Sequence, residues 1–177
     1  FNALKANLGD RAVIAEDLGF MTDTVRQLVK ETGYPNMKVL QFAFDVEDIG
    51  GASEYTPHNY NTNCYVYTGT HDNETVTGWF TVGLKPEEKE AVRDYFCDHT
   101  TPDAGMYMPL VCAAMRSVSR LCIIPMQDLL GLGNEARMNA PSTYGNNWKW
   151  RLLKDEFGEK EVKTLYEITK RYGRIGK

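Results

Sequence analysis

Four short, largely apolar segments constrain what this chain of 177 residues can fold into. They are residues 12–15 (AVIA), 38–44 (KVLQFAF), 64–68 (CYVYT) and 121–125 (LCIIP). Apolar residues at helical spacing predict helices over 22–33, 86–99 and 106–120 and a last amphipathic helix over 155–171. Apolar strands that alternate with helices favour parallel pairing, because helices then cover both faces of the sheet. The sequence therefore predicts an α/β fold.

Polar residues follow each of the four apolar segments. They are Glu16 and Asp17, then Asp45, then His71, Asp72 and Asn73, and finally Gln127 and Asp128. The carboxyl ends of parallel strands meet at one edge of a sheet or barrel, so these side chains are expected at a common site. Four strand–helix units amount to half of an eight-stranded barrel, whose exposed edges need cover. A further part of the barrel is therefore expected in front of this chain.

Composition excludes several classes of function. The chain scatters 20 basic residues among 24 acidic ones for a net charge of −4, which argues against a nucleic-acid partner. No apolar run approaches the roughly 20 residues that span a membrane. The four cysteines lack CxxC spacing and a paired histidine, so we expect reduced, largely buried thiols, no metal site and a cytoplasmic protein.

Two of the strand-end acids suggest glycosidic chemistry. A retaining glycosidase uses one carboxylic acid to protonate the leaving oxygen and a second carboxylate about 5 Å away. Glu16 and Asp72 follow non-adjacent strands and form the natural pair, although acids at strand ends are also often solvated caps. Aromatic and amide side chains in the same loops suit a neutral, polar, ring-shaped ligand such as a sugar, and such rings also fill protein cores.

Six motifs occur in a fixed order along the chain. They are residues 13–19 (VIAEDLG), 34–44 (YPNMKVLQFAF), 57–60 (PHNY), 67–79 (YTGTHDNETVTGW), 127–139 (QDLLGLGNEARMN) and 147–152 (NWKWRL). Together they resemble the 4-α-glucanotransferase family, whose members are also called amylomaltases or disproportionating enzymes. The resemblance covers residues 10–153. At 142 the chain has Ser after Pro141 where the family usually has glycine, so the local turn is expected to differ.

The resemblance implies the C-terminal half, strands five to eight, of an α-amylase-like (β/α)8 barrel. Residues 1–153 would form this partial catalytic barrel, and residues 154–177 would add a C-terminal helix that packs on it. The implied partners are maltooligosaccharides and other α-1,4-glucans, together with the missing N-terminal half of the barrel. The implied activity is the retaining transfer of a glucan segment to a glucose or glucan acceptor, with no metal or organic cofactor.

The resemblance also implies roles for single residues. Glu16 matches the general acid/base, and Asp72 matches the second acid that holds sugar hydroxyls and stabilises the transition state. His71 matches a histidine that contacts substrate, and Asn139 a residue that binds glucan. The nucleophilic aspartate of the family lies on the strand before the Glu16 strand, so these 177 residues alone are expected to be inactive.

Other interpretations remain open for several residues. Asp17 and His58 are further candidates for substrate binding. For Asp17 and Asp128 a structural role through hydrogen bonds to loop backbone is favoured, and for His58 sugar binding and bracing of its own loop are equally open. Two other functions also remain open for the chain, namely an amylase-like glucan hydrolase and a non-catalytic glucan-binding module.

Overall fold

The computed structural model describes residues 1–18, 21–44 and 53–176, so Gly19 and Asp45 lie outside the described residues. Its helices and strands are α1 (Asn2–Leu8), α2 (Asp23–Thr32), β1 (Asn36–Val39), β2 (Cys64–Tyr67), α3 (Val76–Gly78), α4 (Pro86–Phe96), α5 (Tyr107–Arg116), β3 (Leu121–Ile123), α6 (Met126–Leu129) and α7 (Glu159–Arg171). A 3-10 turn, Leu40–Phe44, follows β1, and a π-helical turn, Trp79–Gly83, continues α3.

The three strands form a parallel sheet in the order β1, β2, β3. Asn36 of β1 lies opposite Cys64 of β2, and Tyr65 of β2 lies opposite Leu121 of β3. Parallel neighbours need crossover connections, and α3, α4 and α5 provide the one between β2 and β3. The predicted α/β fold with parallel pairing is confirmed, and the carboxyl ends of the strands lie at one edge.

Two of the four predicted strands differ from the structure. Residues 12–15 contribute only one parallel bridge, from Ala15 to Asn36, and the side chains of Val13 and Ile14 are exposed. This segment lies at the edge of the described sheet, where pairing is available on one side only. In residues 38–44 the strand ends at Val39 and the chain turns into the 3-10 helix. An apolar run buries its side chains in either conformation, so its composition alone could not locate this boundary.

Helix α1 was not predicted, and residues 12–15 were the first element expected from the sequence. Phe1 at the N-cap makes no side-chain capping bond and the helix has no buried residue, so the usual start signal and core-facing stripe are both missing. The Phe1 ring instead lies 5.7 Å from the ring of Tyr34, edge to face.

The predicted helix ends at Thr22, Gly33 and Pro86 are confirmed, whereas α4 and α5 end before the predicted residues 99 and 120 and α7 begins after residue 155. The hydroxyl of Thr22 accepts a hydrogen bond from the Val25 amide at the start of α2, and Gly33 ends this helix with a φ of 67°. Pro86 opens α4, where the Glu88 carboxylate accepts a hydrogen bond from the Lys85 amide at 2.7 Å.

The core lies between the sheet and the helices that connect its strands. Val66 of β2 and Leu110 of α5 are fully buried in it. Ile168 of α7 is buried against Val111 of α5 and Leu129 of α6, so the last helix joins the same body. The division of the chain at residue 153 stays a prediction. Within the described part of the chain, no helix combines the length and apolar character needed to cross a membrane.

Candidate functional site

Asp128 holds both ends of the loop that connects β2 to α3. Its Oδ2 accepts a hydrogen bond from the Thr68 hydroxyl at 2.5 Å, and its Oδ1 accepts one from the Val76 amide at 2.8 Å. Asp128 is 1% exposed, and burial raises the pKa of its carboxyl to about 6 against the two hydrogen bonds, which lower it. The structural role predicted for Asp128, through hydrogen bonds to loop backbone, is confirmed.

The loop is also braced from within. The side-chain oxygen of Asn73 accepts hydrogen bonds from the Thr70 amide and hydroxyl at 2.9 and 2.8 Å. The amide of Asp72 donates to the Thr70 hydroxyl oxygen at 3.3 Å. An Asn side chain that satisfies backbone donors nearby stabilises a tight turn. The loop therefore presents His71 and Asp72 on a turn with its own hydrogen bonds.

Asp72 meets residues from the loop after β3. The Asn139 side-chain amide donates to Oδ1 of Asp72 at 2.6 Å, and the Asn139 backbone amide donates to the carbonyl of His71 at 3.0 Å. Nε2 of His71 lies 3.4 Å from the same Oδ1, and the Asp72 side chain stays 48% exposed. The structure thus brings together His71, Asp72 and Asn139.

Glu16 and Asp72 line one open cleft of about 760 Å³ at the carboxyl ends of the strands. They are the only carboxylates among the described residues that line it. The other lining residues are Ile14, Leu18, Met37, Phe42, Tyr67, Gly69, Thr70, His71, Asn73, Ile123 and Pro125. Burial raises the pKa of the Tyr67 phenol, and the charge of Glu16 raises it further. The cleft therefore offers two acids beside aromatic and apolar walls.

The structure gives Asp17 and His58 other surroundings. The Asp17 carboxylate accepts hydrogen bonds from the Met37 amide at 2.9 Å and from the Asn36 side chain at 3.1 Å, which ties it to β1. Nδ1 of His58 lies 3.1 Å from the Tyr95 hydroxyl, and the two rings stack with centroids 5.7 Å apart. Neither Asp17 nor His58 lines the cleft of Glu16 and Asp72, and their binding of substrate stays a prediction.

Two residues were not assigned to the site from the sequence. Trp148 is half exposed, and its ring lies 5.0 Å from the His71 ring. Its φ of 64° is unusual for a residue with a side chain. Arg137 donates from Nη2 to the carbonyl of Asp72 at 2.8 Å. Both lie within the motifs, but no local pattern of residues indicates either contact.

Comparison with known proteins identifies one family of relatives. The family model described as 4-alpha-glucanotransferase matches residues 1–155. The 4-alpha-glucanotransferase of Clostridium butyricum is 46% identical over 176 residues, which cover 98% of this chain and 35% of that protein. The chloroplastic/amyloplastic enzyme of Solanum tuberosum is 42% identical over 178 residues, which cover 99% of this chain and 30% of that protein.

Two solved structures of amylomaltases also resemble this chain. The amylomaltase of Streptococcus agalactiae, in complex with acarbose, matches with a TM-score of 0.90 and 38% identity over 99% of this chain and 34% of that one. The amylomaltase of Corynebacterium glutamicum, at 19% identity and a TM-score of 0.59 over 97% of this chain and 29% of that one, shares the fold. The chain spans about a third of the length of these relatives, and it belongs to the 4-alpha-glucanotransferase family.

Proposed function

We propose that the complete protein, meaning the natural gene product that contains these 177 residues, transfers a segment of an α-1,4-glucan to a glucose or glucan acceptor with retention. The observation that carries this proposal is the shared cleft of Glu16 and Asp72, the pair of carboxylates that the family resemblance singles out. Membership of the 4-alpha-glucanotransferase family supports it.

Glu16 is proposed as the general acid/base. It is exposed to the cleft, where it can protonate the oxygen of the leaving glucan and then take the proton from the 4-hydroxyl of the acceptor. Asp72 is proposed to bind sugar hydroxyls and to stabilise the positive charge of an oxocarbenium-like transition state. His71 and Asn139, which contact Asp72, are proposed to bind the same sugar.

A retaining reaction also needs a nucleophilic carboxylate, and Glu16 and Asp72 both have other proposed roles. We propose that this group lies outside these residues, on the strand that precedes the Glu16 segment in the family. The three parallel strands and the bridged segment at Ala15 then correspond to strands five to eight of a (β/α)8 barrel, within residues 1–153. Residues 154–177 carry the helix α7, whose apolar face packs on α5 and α6.

The proposed substrates are maltooligosaccharides and longer α-1,4-glucans. The aromatic and apolar cleft walls, with hydroxyl, imidazole and amide groups between them, suit sugar rings. The complex of a 38% identical amylomaltase with acarbose supports a ligand of this kind. A cytoplasmic location stays a prediction, and the relative from Solanum tuberosum is named as a plastid enzyme.

The test is incubation of the complete protein with maltotriose, with products separated by chromatography. Glucose and a ladder of longer glucans are expected from the wild-type protein, and no ladder from the Glu16→Gln variant or from the 177 residues alone. A matched control is Glu167→Gln, which changes an exposed acid on α7 and should leave the ladder intact.

Each alternative gives a different product pattern. Glucose and maltose without longer products would show a hydrolase and contradict transfer. A ladder from Glu16→Gln would remove the proposed acid/base, and a ladder from the isolated chain would contradict the external nucleophile. Sugar binding by the isolated chain, with unchanged activity of Glu16→Gln, would point to a glucan-binding module.

A further inference from the structure

Arg137 joins the two loops that meet at Asp72. Its guanidinium donates from Nη2 to the main-chain carbonyl of Asp72 at 2.8 Å and from Nε to the main-chain carbonyl of Asn139 at 2.9 Å. The planar guanidinium holds its donors at fixed angles, so it sets the distance between the two carbonyls. The Asn139 amide, which donates to the His71 carbonyl at 3.0 Å, adds a second tie between the same loops.

This junction determines where the Asn139 side chain lies. With its backbone held by Arg137, Asn139 places its amide 2.6 Å from Oδ1 of Asp72. The Asp72 side chain is 48% exposed, so its orientation depends largely on such hydrogen bonds. Both described hydrogen bonds of Arg137 go to main-chain oxygens, so it acts on the carboxylate only through the loops.

We infer that Arg137 is a positioning residue for Asp72, which it orients by holding the Asn139 amide on the carboxylate. The inference rests on the proposed function, because it takes Asp72 to be the group that stabilises the transition state. A displacement of about 1 Å in such a group can lower the rate about 100-fold. Arg137 therefore contributes to turnover without contacting the sugar.

Arg174 provides a matched control in the same chain. Its Nε donates to the Met115 carbonyl at 2.6 Å and its Nη2 to the Ser117 carbonyl at 3.0 Å, so it also bridges two main-chain carbonyls. These carbonyls lie at the C-terminal end of α5, and neither residue lines the cleft. The Arg174→Lys variant thus breaks a bridge of the same kind away from Asp72.

The experiment compares Arg137→Lys and Arg174→Lys in the complete protein, with and without Asp72→Asn. A Lys ammonium cannot make both hydrogen bonds of the Arg137 guanidinium in the same geometry. The Arg137→Lys variant is therefore expected to lower kcat by about 10- to 100-fold, with KM changed by less than about 3-fold. In the Asp72→Asn background the same substitution is expected to change kcat by less than about 3-fold, because the charged carboxylate that Arg137 positions has been removed. Arg174→Lys should leave kcat unchanged in both backgrounds.

The kinetic constants are measured both from ladder formation and from total glucose release. The thermal unfolding midpoint of each variant is measured separately. A rise in KM at constant kcat would overturn the inference in favour of direct sugar binding. If Arg137→Lys lowered kcat equally in the wild-type and Asp72→Asn backgrounds, the inference would also be overturned. The same holds if Arg137→Lys lowered the unfolding midpoint and left kcat normal. If Arg137→Lys does not fold, Asn139→Ala, which removes the same donor from Asp72, takes its place. Its loss of kcat must then depend on Asp72 in the same way, and only kcat is compared because Asn139 is itself proposed to bind sugar.

Failure of the proposed function gives a different result. A wild-type protein that releases glucose without a ladder contradicts transfer, while the Arg137 comparison is still made on glucose release. A wild-type protein with neither product contradicts both proposals.

Discussion

Substitution of Asp128 by Asn is expected to remove a loss of stability that the wild-type protein suffers as the pH rises from about 4 to 6. Burial raises the pKa of this carboxyl from 3.8 to about 6, so its ionised form is less stable in the fold than in the unfolded chain. The difference of about two pKa units corresponds to about 3 kcal/mol between the two protonation states. Asn has nearly the same shape, and it can still accept from the Val76 amide and donate to the Thr68 hydroxyl oxygen.

The sign follows from proton binding. Between pH values of about 4 and 6 the folded protein holds a proton on Asp128 that the unfolded chain has lost, so stability falls as the pH rises through this window. The Asn variant has no such proton. Its free energy of unfolding should be close to that of the wild-type protein near pH 4 and exceed it by about 2–3 kcal/mol near pH 7.

Urea unfolding of both proteins at several pH values measures this difference, and contributions from other titrating groups cancel in the comparison. Asp98→Asn serves as a control, because hydrogen bonds lower the pKa of that partly buried carboxyl to about 2 and its effect should be constant between about pH 5 and 7. A difference between wild-type and Asp128→Asn that does not change with pH would refute the reasoning.

Three further outcomes are expected. Gly78→Ala should destabilise the protein by about 1–3 kcal/mol in urea unfolding, because its Cβ would lie 2.1 Å from the Asn134 side chain. Gly158→Ala is the control: its Cβ would lie 3.5 Å from its nearest neighbour, so it should lower the free energy of unfolding by less than half as much. In the native protein Cys97, the exposed thiol among the four free cysteines, should react first with an aromatic disulfide reagent, and a second equally fast thiol would contradict its assignment. An NMR titration should find the Asp98 carboxylate ionised down to about pH 2, and the stability it contributes should be lost as the pH falls from about 4 towards 2. A pKa near the ordinary value of 3.8 would contradict the hydrogen bonds of this carboxylate.

The edge of the sheet that carries the candidate site could be found in the sequence. Polar residues directly after the apolar segments marked the carboxyl ends of the strands, and the structure lines one cleft with Glu16 and Asp72. The catalytic roles of these two residues came from the resemblance and stay proposals. Position alone could not separate a catalytic acid from a structural one, since Asp17 and Asp128 also follow apolar segments and are bound to backbone amides instead.

The sequence by itself determined the features that a few neighbouring residues can satisfy. The cap at Thr22, the left-handed Gly33 and the opening Pro86 depend on hydrogen bonds and backbone angles within one turn, so local residue types suffice to predict them. Only the tertiary structure decided that the chain leaves β1 for a 3-10 turn after Val39 and that residues 12–15 pair at a single bridge. It alone also decided which side chains meet at Asp72, since Asn139 lies 67 positions away in the chain. Contacts at that separation depend on how the helices and strands pack, and no local pattern of residues contains this information.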